Sequence, residues 1–255
     1  MTTPTFPDLT DKSVYITGGG SGIGAALTDG FLGQGARVAF IGRSDASAFC
    51  AKMQAKHGRR PLFLQGDVTD TARLQETIAE AAKAHGPVTT LVSNAANDQR
   101  QKLEDLSPED WDTNQAINLK AYYFATQAVA PMMREAGHGT IINFSSISYM
   151  MGNAGYSAYV AANAGITGMT RAHARELGPD NIRVNALAPG WVLTDKQLEK
   201  WATPMTLQAH LERQCIPEHL QPSDIVNPCL FLASEASAMM TAQCLVVDGG
   251  TVYTG

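Results

Sequence analysis

Two hydrophobic patterns alternate along the chain. Segments 13–17, 36–41, 61–65, 89–93, 140–144, 182–187 and 244–248 are short and rich in Val, Ile, Leu and Phe. They are apolar on consecutive positions rather than on every second one. That pattern predicts strands covered on both faces. Between them lie stretches with apolar positions at helical spacing: 22–34, with Ile23, Ala26, Leu27, Phe31 and Leu32 on one side, then 71–85, 107–135 and 156–177. Ser107-Pro-Glu-Asp110 has the form of a helix N-cap followed by proline at the first helical position. Gly178-Pro179 is a helix stop. Strand and helix in strict alternation predict an α/β fold with a parallel, seven-stranded, doubly wound sheet and right-handed crossovers. We find no composition break, so residues 1–255 are expected to form a single domain. Only 189–222 interrupts the rhythm. A connection of that length is expected to be a functional loop, with a surface excursion of small helices as the plainer alternative.

Composition narrows the class. With 44% apolar and 17% charged residues, the 255-residue chain can bury a core without disulfides or metal. Its 24 acidic residues against 19 Lys and Arg give −5, the wrong sign for a nucleic-acid binder. No apolar run reaches the roughly 18–20 residues that span a bilayer. The first twelve residues are polar, contain Pro4 and Pro7, and lack a signal-peptide pattern. Cys50, Cys215, Cys229 and Cys244 are widely spaced, so reduced thiols and a cytoplasmic location are expected. The six histidines form no ligand-spaced pair, and no metal is expected.

Thr17-Gly-Gly-Gly-Ser-Gly-Ile-Gly24 directly follows the first predicted strand and opens the first predicted helix. Glycines there permit a tight turn and let backbone N–H groups approach a pyrophosphate, while the helix N-terminus adds partial positive charge. Strand, glycine turn and helix together predict a Rossmann-type dinucleotide site, with Gly18, Ser21, Gly22, Ile23 and Gly24 at the phosphates and 13–100 as the nucleotide-binding half. No Lys-Ser or Lys-Thr follows, which argues against a nucleoside-triphosphate loop. At the end of the second strand an acid would hold a ribose 2′-hydroxyl and select NAD. Gly42 stands there and Arg43 follows, so NADP is the expected cofactor, with NAD possible.

With these residues in hand, the chain resembles the short-chain dehydrogenase/reductase family over nearly its whole length. The nucleotide turn matches, and so does Asp67-Val68 after the third strand, the family's adenine contact. Ser93-Asn94-Ala95-Ala96 resembles the family's Asn-Asn-Ala-Gly with two departures. Asn118 stands at the helix asparagine, and Ser146 and Tyr159 are thirteen residues apart, as in the family. Pro189-Gly190, Val192 and Thr194 match the turn that holds the nicotinamide carboxamide. The resemblance implies Tyr159 as general acid/base, Ser146 on the substrate oxygen, Asn118 ordering a water or backbone group near Asn163, and Asn94 and Ala95 against the cofactor. It also implies a homotetramer paired through the helices at 107–135 and 156–177.

One family position departs. The family's Tyr-x-x-x-Lys reads Tyr159-Val-Ala-Ala-Asn163. Asn163 lies one turn from Tyr159 and can still hydrogen-bond a ribose hydroxyl, but it carries no charge to lower the phenol pKa. Asn97-Asp98-x-Arg100-x-Lys102, Ser146-Ile-Ser148-Tyr149, and Gln197 with Lys200-Trp201 resemble bacterial aldose 1-dehydrogenases of this family, of the D-xylose, L-fucose and L-arabinose type. That likeness implies oxidation of a sugar to its lactone. It implies a sugar pocket formed by Asn97, Ser148, Tyr149, Gln197, an aromatic face from Trp191 or Trp201, and the 189–222 loop. Three alternatives stay open from the residues alone: a dinucleotide-binding protein impaired in turnover by Asn163, an active-site variant of an ordinary dehydrogenase lacking the lysine, and a sugar-acid or keto-sugar dehydrogenase/reductase.

Overall fold

The computed structural model describes residues 4–253. Seven strands form one sheet: β1 (Ser13–Thr17), β2 (Arg37–Gly42), β3 (Leu62–Gln65), β4 (Thr90–Ser93), β5 (Gly139–Phe144), β6 (Ile182–Pro189) and β7 (Cys244–Val247). Every neighbouring pair is parallel, in the order β3-β2-β1-β4-β5-β6-β7. The expected doubly wound α/β architecture is therefore present. The chain builds outward from β1 to β3, then restarts on the other side of β1 with β4. That reversal opens a crevice at the carboxyl ends of β1 and β4, where ligands bind in such sheets.

The helices are α1 (Gly22–Gly33), α2 (Ser47–His57), α3 (Thr71–His85), α4 (Pro108–Gln115), α5 (Ala121–Ala136), α6 (Ser148–Met151), α7 (Ser157–Leu177), α8 (Asp195–Lys200), α9 (Pro204–Leu211) and α10 (Pro222–Ala233). Successive residues of a strand face opposite sides, and β1 shows what this does. Val14 and Ile16 pack with Leu27 and Phe31 of α1 and Ile225 and Leu230 of α10. Tyr15 faces the other layer, with Leu74 and Ile78 of α3, Val129 and Met133 of α5 and Ile166 of α7. Its buried hydroxyl is satisfied by the Thr77 hydroxyl at 2.7 Å.

One expectation needs correction, and two further features add to the reading. The helix expected over 107–135 is not continuous: five residues, Ala116–Lys120, form a π-helical turn between α4 and α5. The capped start is as expected, with the Ser107 hydroxyl accepting from the Asp110 N–H at 3.0 Å. The 189–222 loop contains α8 and α9, and Val192 bridges Leu220 so that it returns beside its own start. Helices α2 and α10 were not anticipated. Cys50 and Met53 are the only apolar side chains of α2 that are buried, too few to mark a period. In α10 Pro228 obscures the pattern.

Candidate functional site

One cleft of about 1150 Å³ runs along the carboxyl ends of the strands. Gly18, Ser21, Gly22, Ile23, Gly24, Arg43, Asp67, Val68, Asn94, Ala95, Pro189, Gly190, Val192 and Thr194, the residues expected at the cofactor, all line it.

The glycine turn is shaped for close approach. Gly18 and Gly22 have φ of 73° and 51°, in the left-handed region that favours glycine. A Cβ on Gly24 would run into the Gly18 carbonyl oxygen. Ser21 caps α1 without a side-chain hydrogen bond, leaving the first helical N–H groups available to an anion. The Thr17 hydroxyl accepts from the N–H groups of Asn94 and Ala95 at 2.9 and 3.0 Å. The Asn94 side chain donates to the Thr17 carbonyl at 3.1 Å. These bonds tie the turn after β1 to the loop after β4, forming a floor for an extended dinucleotide. At the far end, the Arg43 side chain is 76% exposed and its guanidinium stands 3.8 Å from the Asp67 carboxylate. At that distance and exposure the pair is weak, and the fork stays free for another anion.

The other end of the cleft collects Tyr159, Asn163, Ser146 and Asn118. Tyr159 sits one turn above Asn163 on α7, and its ring stacks on Tyr156 with centroids 5.9 Å apart. Burial pushes the Tyr159 phenol up to about 12; the Asp98 carboxylate pushes the same way, while Ser146 and Asn163 pull it down. Ser145 turns away: its hydroxyl donates to the Asn163 carbonyl at 3.0 Å. That leaves Ser146 as the serine acting on the phenol.

Asn118 lies in the π-helical turn and is buried. Its Oδ1 accepts from the Asn97 N–H at 2.8 Å, and its Nδ2 donates to the Asn97 carbonyl at 3.0 Å. Asn118 therefore holds the backbone of the loop after β4. These bonds are to Asn97 and not to the surroundings of Asn163, where the ordered group was expected. A local π turn re-aims a side chain by one position, and such turns recur at functional sites.

Of the residues expected at the substrate, Asn97, Ser148, Trp191 and Gln197 line the cleft. Ser148 lines the cleft, and its hydroxyl is buried without a partner inside the fold. Tyr149 and Trp201 do not line the cleft. Successive helical residues point about 100° apart; with Ser148 facing the cleft, Tyr149 turns its hydroxyl onto Thr167, which donates at 3.3 Å. Trp201 is occupied by Arg100, whose guanidinium carbon lies 4.4 Å from the ring centroid. Asp98 and His210 also line the cleft and were assigned no role from sequence. Asp98 stands out only as an acid among amides, and His210 lies in a short helix without period.

A family model described as Enoyl-(Acyl carrier protein) reductase matches residues 18–252. A probable galactose dehydrogenase of Rhizobium meliloti (strain 1021) is 47% identical over 254 residues, covering 98% of this chain and 99% of that one. The chain belongs to the short-chain dehydrogenase/reductase family. A D-xylose 1-dehydrogenase of Caulobacter vibrioides is 41% identical over 251 residues, covering 98% and 99% of the two chains. A crystal structure from Sinorhizobium meliloti 1021, provisionally named a short-chain alcohol dehydrogenase, superposes with a TM-score of 0.92 at 32% identity, covering 96% of this chain and 98% of its own. This short-chain dehydrogenase is thus an NAD(P)-using oxidoreductase. No helix among the described residues is long and apolar enough to cross a membrane.

Proposed function

We propose that this dehydrogenase oxidises the C1 hydroxyl of an aldose to a lactone, with NADP preferred over NAD. The observation that carries the reading is the meeting of Tyr159 and Ser146 with a polar wall, Asn97, Ser148, Trp191 and Gln197, at one end of a dinucleotide cleft. Similarity to proteins named for galactose and D-xylose supports a sugar as substrate.

The residues present fit a dinucleotide. The Gly18–Gly24 turn would hold the pyrophosphate, Asp67 and Val68 the adenine, Arg43 a 2′-phosphate, and Pro189, Gly190, Val192 and Thr194 the nicotinamide end. When bound, the nicotinamide supplies a hydride acceptor. Tyr159 takes the proton of the C1 hydroxyl, and Ser146 hydrogen-bonds the oxygen as its charge develops. Asn118 keeps Asn97 and the loop after β4 in place. Asn163 is a hydrogen-bonding group without charge, so Tyr159 works as a base with no cation from this position to offset the rise that burial causes.

A second reading is favoured by one observation. The groups that act on the Tyr159 phenol are Asp98, Ser146, Asn163 and Tyr156, and none is a cation. A chain that binds the dinucleotide and turns over weakly fits that environment.

Initial rates with D-galactose, D-xylose, L-arabinose and L-fucose, each with NADP and NAD from pH 7 to 10, test the function. The expected result is aldose-dependent reduction of the nucleotide, lost in Tyr159→Phe. Full activity in Tyr159→Phe overturns the assigned base; nucleotide binding without turnover of any aldose moves the assignment to the second reading.

We further propose one folding unit over 1–255, a cytoplasmic location, and a homotetramer paired through α4, α5 and α7. Trp111 and Tyr123 on that face are 40% and 47% exposed in the single chain. Sedimentation velocity showing a monomer would overturn the assembly.

A further inference from the structure

Asp98 binds together three segments of the substrate end. Its Oδ1 accepts from the Lys196 ammonium at 2.6 Å, and its Oδ2 accepts from the Gln197 amide at 2.7 Å. Gln197 Oε1 in turn accepts from the Trp191 indole N–H at 2.8 Å. Trp191 also makes a T-shaped contact with His210, with ring centroids 5.3 Å apart and planes at 89°. The chain of contacts thus runs from the loop after β4 to α8, then to the turn after β6 and on to α9. Asp98, Trp191, Gln197 and His210 all line the cleft.

The polarity of this chain is set by Asp98. An indole can only donate, so Gln197 must present its oxygen to Trp191 and its NH2 to Asp98. An ionised carboxylate is acceptor-only and takes both that amide and the ammonium of Lys196. Burial works to raise the Asp98 pKa, but the bonds from Lys196 and Gln197 outweigh it and hold the carboxyl below its usual value. The acid is charged at neutral pH, and each oxygen keeps a lone pair for a further O–H donor.

We propose that Asp98 is a positioning residue for the sugar, fixing the Trp191 indole through Gln197 as one wall of the substrate end and pinning α8 over the cleft. The assignment of the wall to a sugar rests on the aldose dehydrogenase reading; the wall itself does not. The ligand it suits is a neutral polyol, whose C–H face can lie against the indole.

Asp98→Asn is isosteric but offers one acceptor in place of two, and its NH2 must face either the Lys196 ammonium or the Gln197 amide. Gln197→Ala cuts the same chain one link further on. Both variants are expected to raise KM for D-galactose or D-xylose about tenfold, the loss of roughly one charge-assisted hydrogen bond. KM for the nucleotide should stay within about twofold of the parent. The double variant should be no worse than Asp98→Asn alone, because both act through one chain. Trp191 is read directly by 19F NMR of the 5-fluorotryptophan-labelled protein, with the resonance assigned by Trp191→Phe. It should shift in both single variants. An unchanged sugar KM in Asp98→Asn, additive effects in the double variant, or an unmoved Trp191 resonance would each overturn the proposal. Absence of turnover in the parent overturns the aldose reading alone, since the Trp191 resonance still decides whether Asp98 holds the wall.

Discussion

The Asn163 side chain donates to the carbonyl oxygen of Tyr159 at 2.8 Å. The residue one turn from the phenol thus spends a donor on its own helix, and it brings no charge to the phenol above it. Asn163 is 2% exposed, so the place it occupies is a buried part of the cleft floor. A cation there would act on the phenol through little water.

Asn163→Lys is therefore expected to increase aldose oxidation at pH 7. If the ammonium lowers the phenol pKa by one to two units, the rise is about ten- to a hundredfold, since one unit is about 1.4 kcal/mol. Nucleotide-linked initial rates of the two proteins side by side check this. Equal rates would show that the charge at this position does not limit turnover.

The pH dependence follows from the direction of the Tyr159 shift. Burial raises the phenol to about 12, and oxidation needs its deprotonated form. Below that pKa the deprotonated fraction grows about tenfold per pH unit. Oxidation should therefore climb from pH 7 towards pH 10 without reaching a plateau at neutral pH. Reduction of the lactone or ketone needs the protonated phenol and should show no such rise. A flat oxidation profile over this range would mean that proton removal is not limiting.

Arg43 is an exposed cation beside Asp67 at the adenine end of the cleft. Arg43→Ala should raise KM for NADP about tenfold or more and change KM for NAD less than about twofold, since only the 2′-phosphate needs the fork. Steady-state rates with each nucleotide at saturating aldose give both constants. Equal changes for the two would remove Arg43 from phosphate recognition.

Asn118→Ala leaves the Asn97 N–H without its partner and the Asn97 carbonyl with only the longer bond from the Asn114 side chain at 3.4 Å. Each unsatisfied buried group costs about 1–3 kcal/mol. The urea midpoint should fall, and turnover should fall further than the loss of folded protein explains, because Asn97 lines the substrate end. Chemical denaturation and kcat on the folded fraction separate the two effects. A midpoint within error of the parent would show that the loop after β4 is held by other bonds.

What could be read along the chain was what depends on neighbours in sequence. Strand periodicity, the Ser107 cap and the glycine turn report local backbone preference and burial, so the seven strands and the nucleotide turn were legible. Tyr159 and Asn163 stood out through the family's Tyr-x-x-x-Lys pattern that they resemble, and a helix places residues four apart on one face. Continuous apolar strands forced a sheet covered on both sides, while the crevice at the carboxyl ends of β1 and β4 followed from the strand order.

Packing alone decided the rest. Asp98 meets Lys196 and Gln197 across 98 and 99 residues of chain, and no local pattern encodes such a meeting. Ser148 and Tyr149 are adjacent, yet the short helix α6 sends them to different sides, into the cleft and onto Thr167. Trp201 looked suited to a sugar face but was taken by Arg100. The π-helical turn moved Asn118 onto Asn97, where a regular helix would have aimed it elsewhere. Hydrophobic periodicity reports which side of an element is buried; which polar group lies across from it is set by how distant elements settle against one another, and the substrate end is built almost wholly from such pairs.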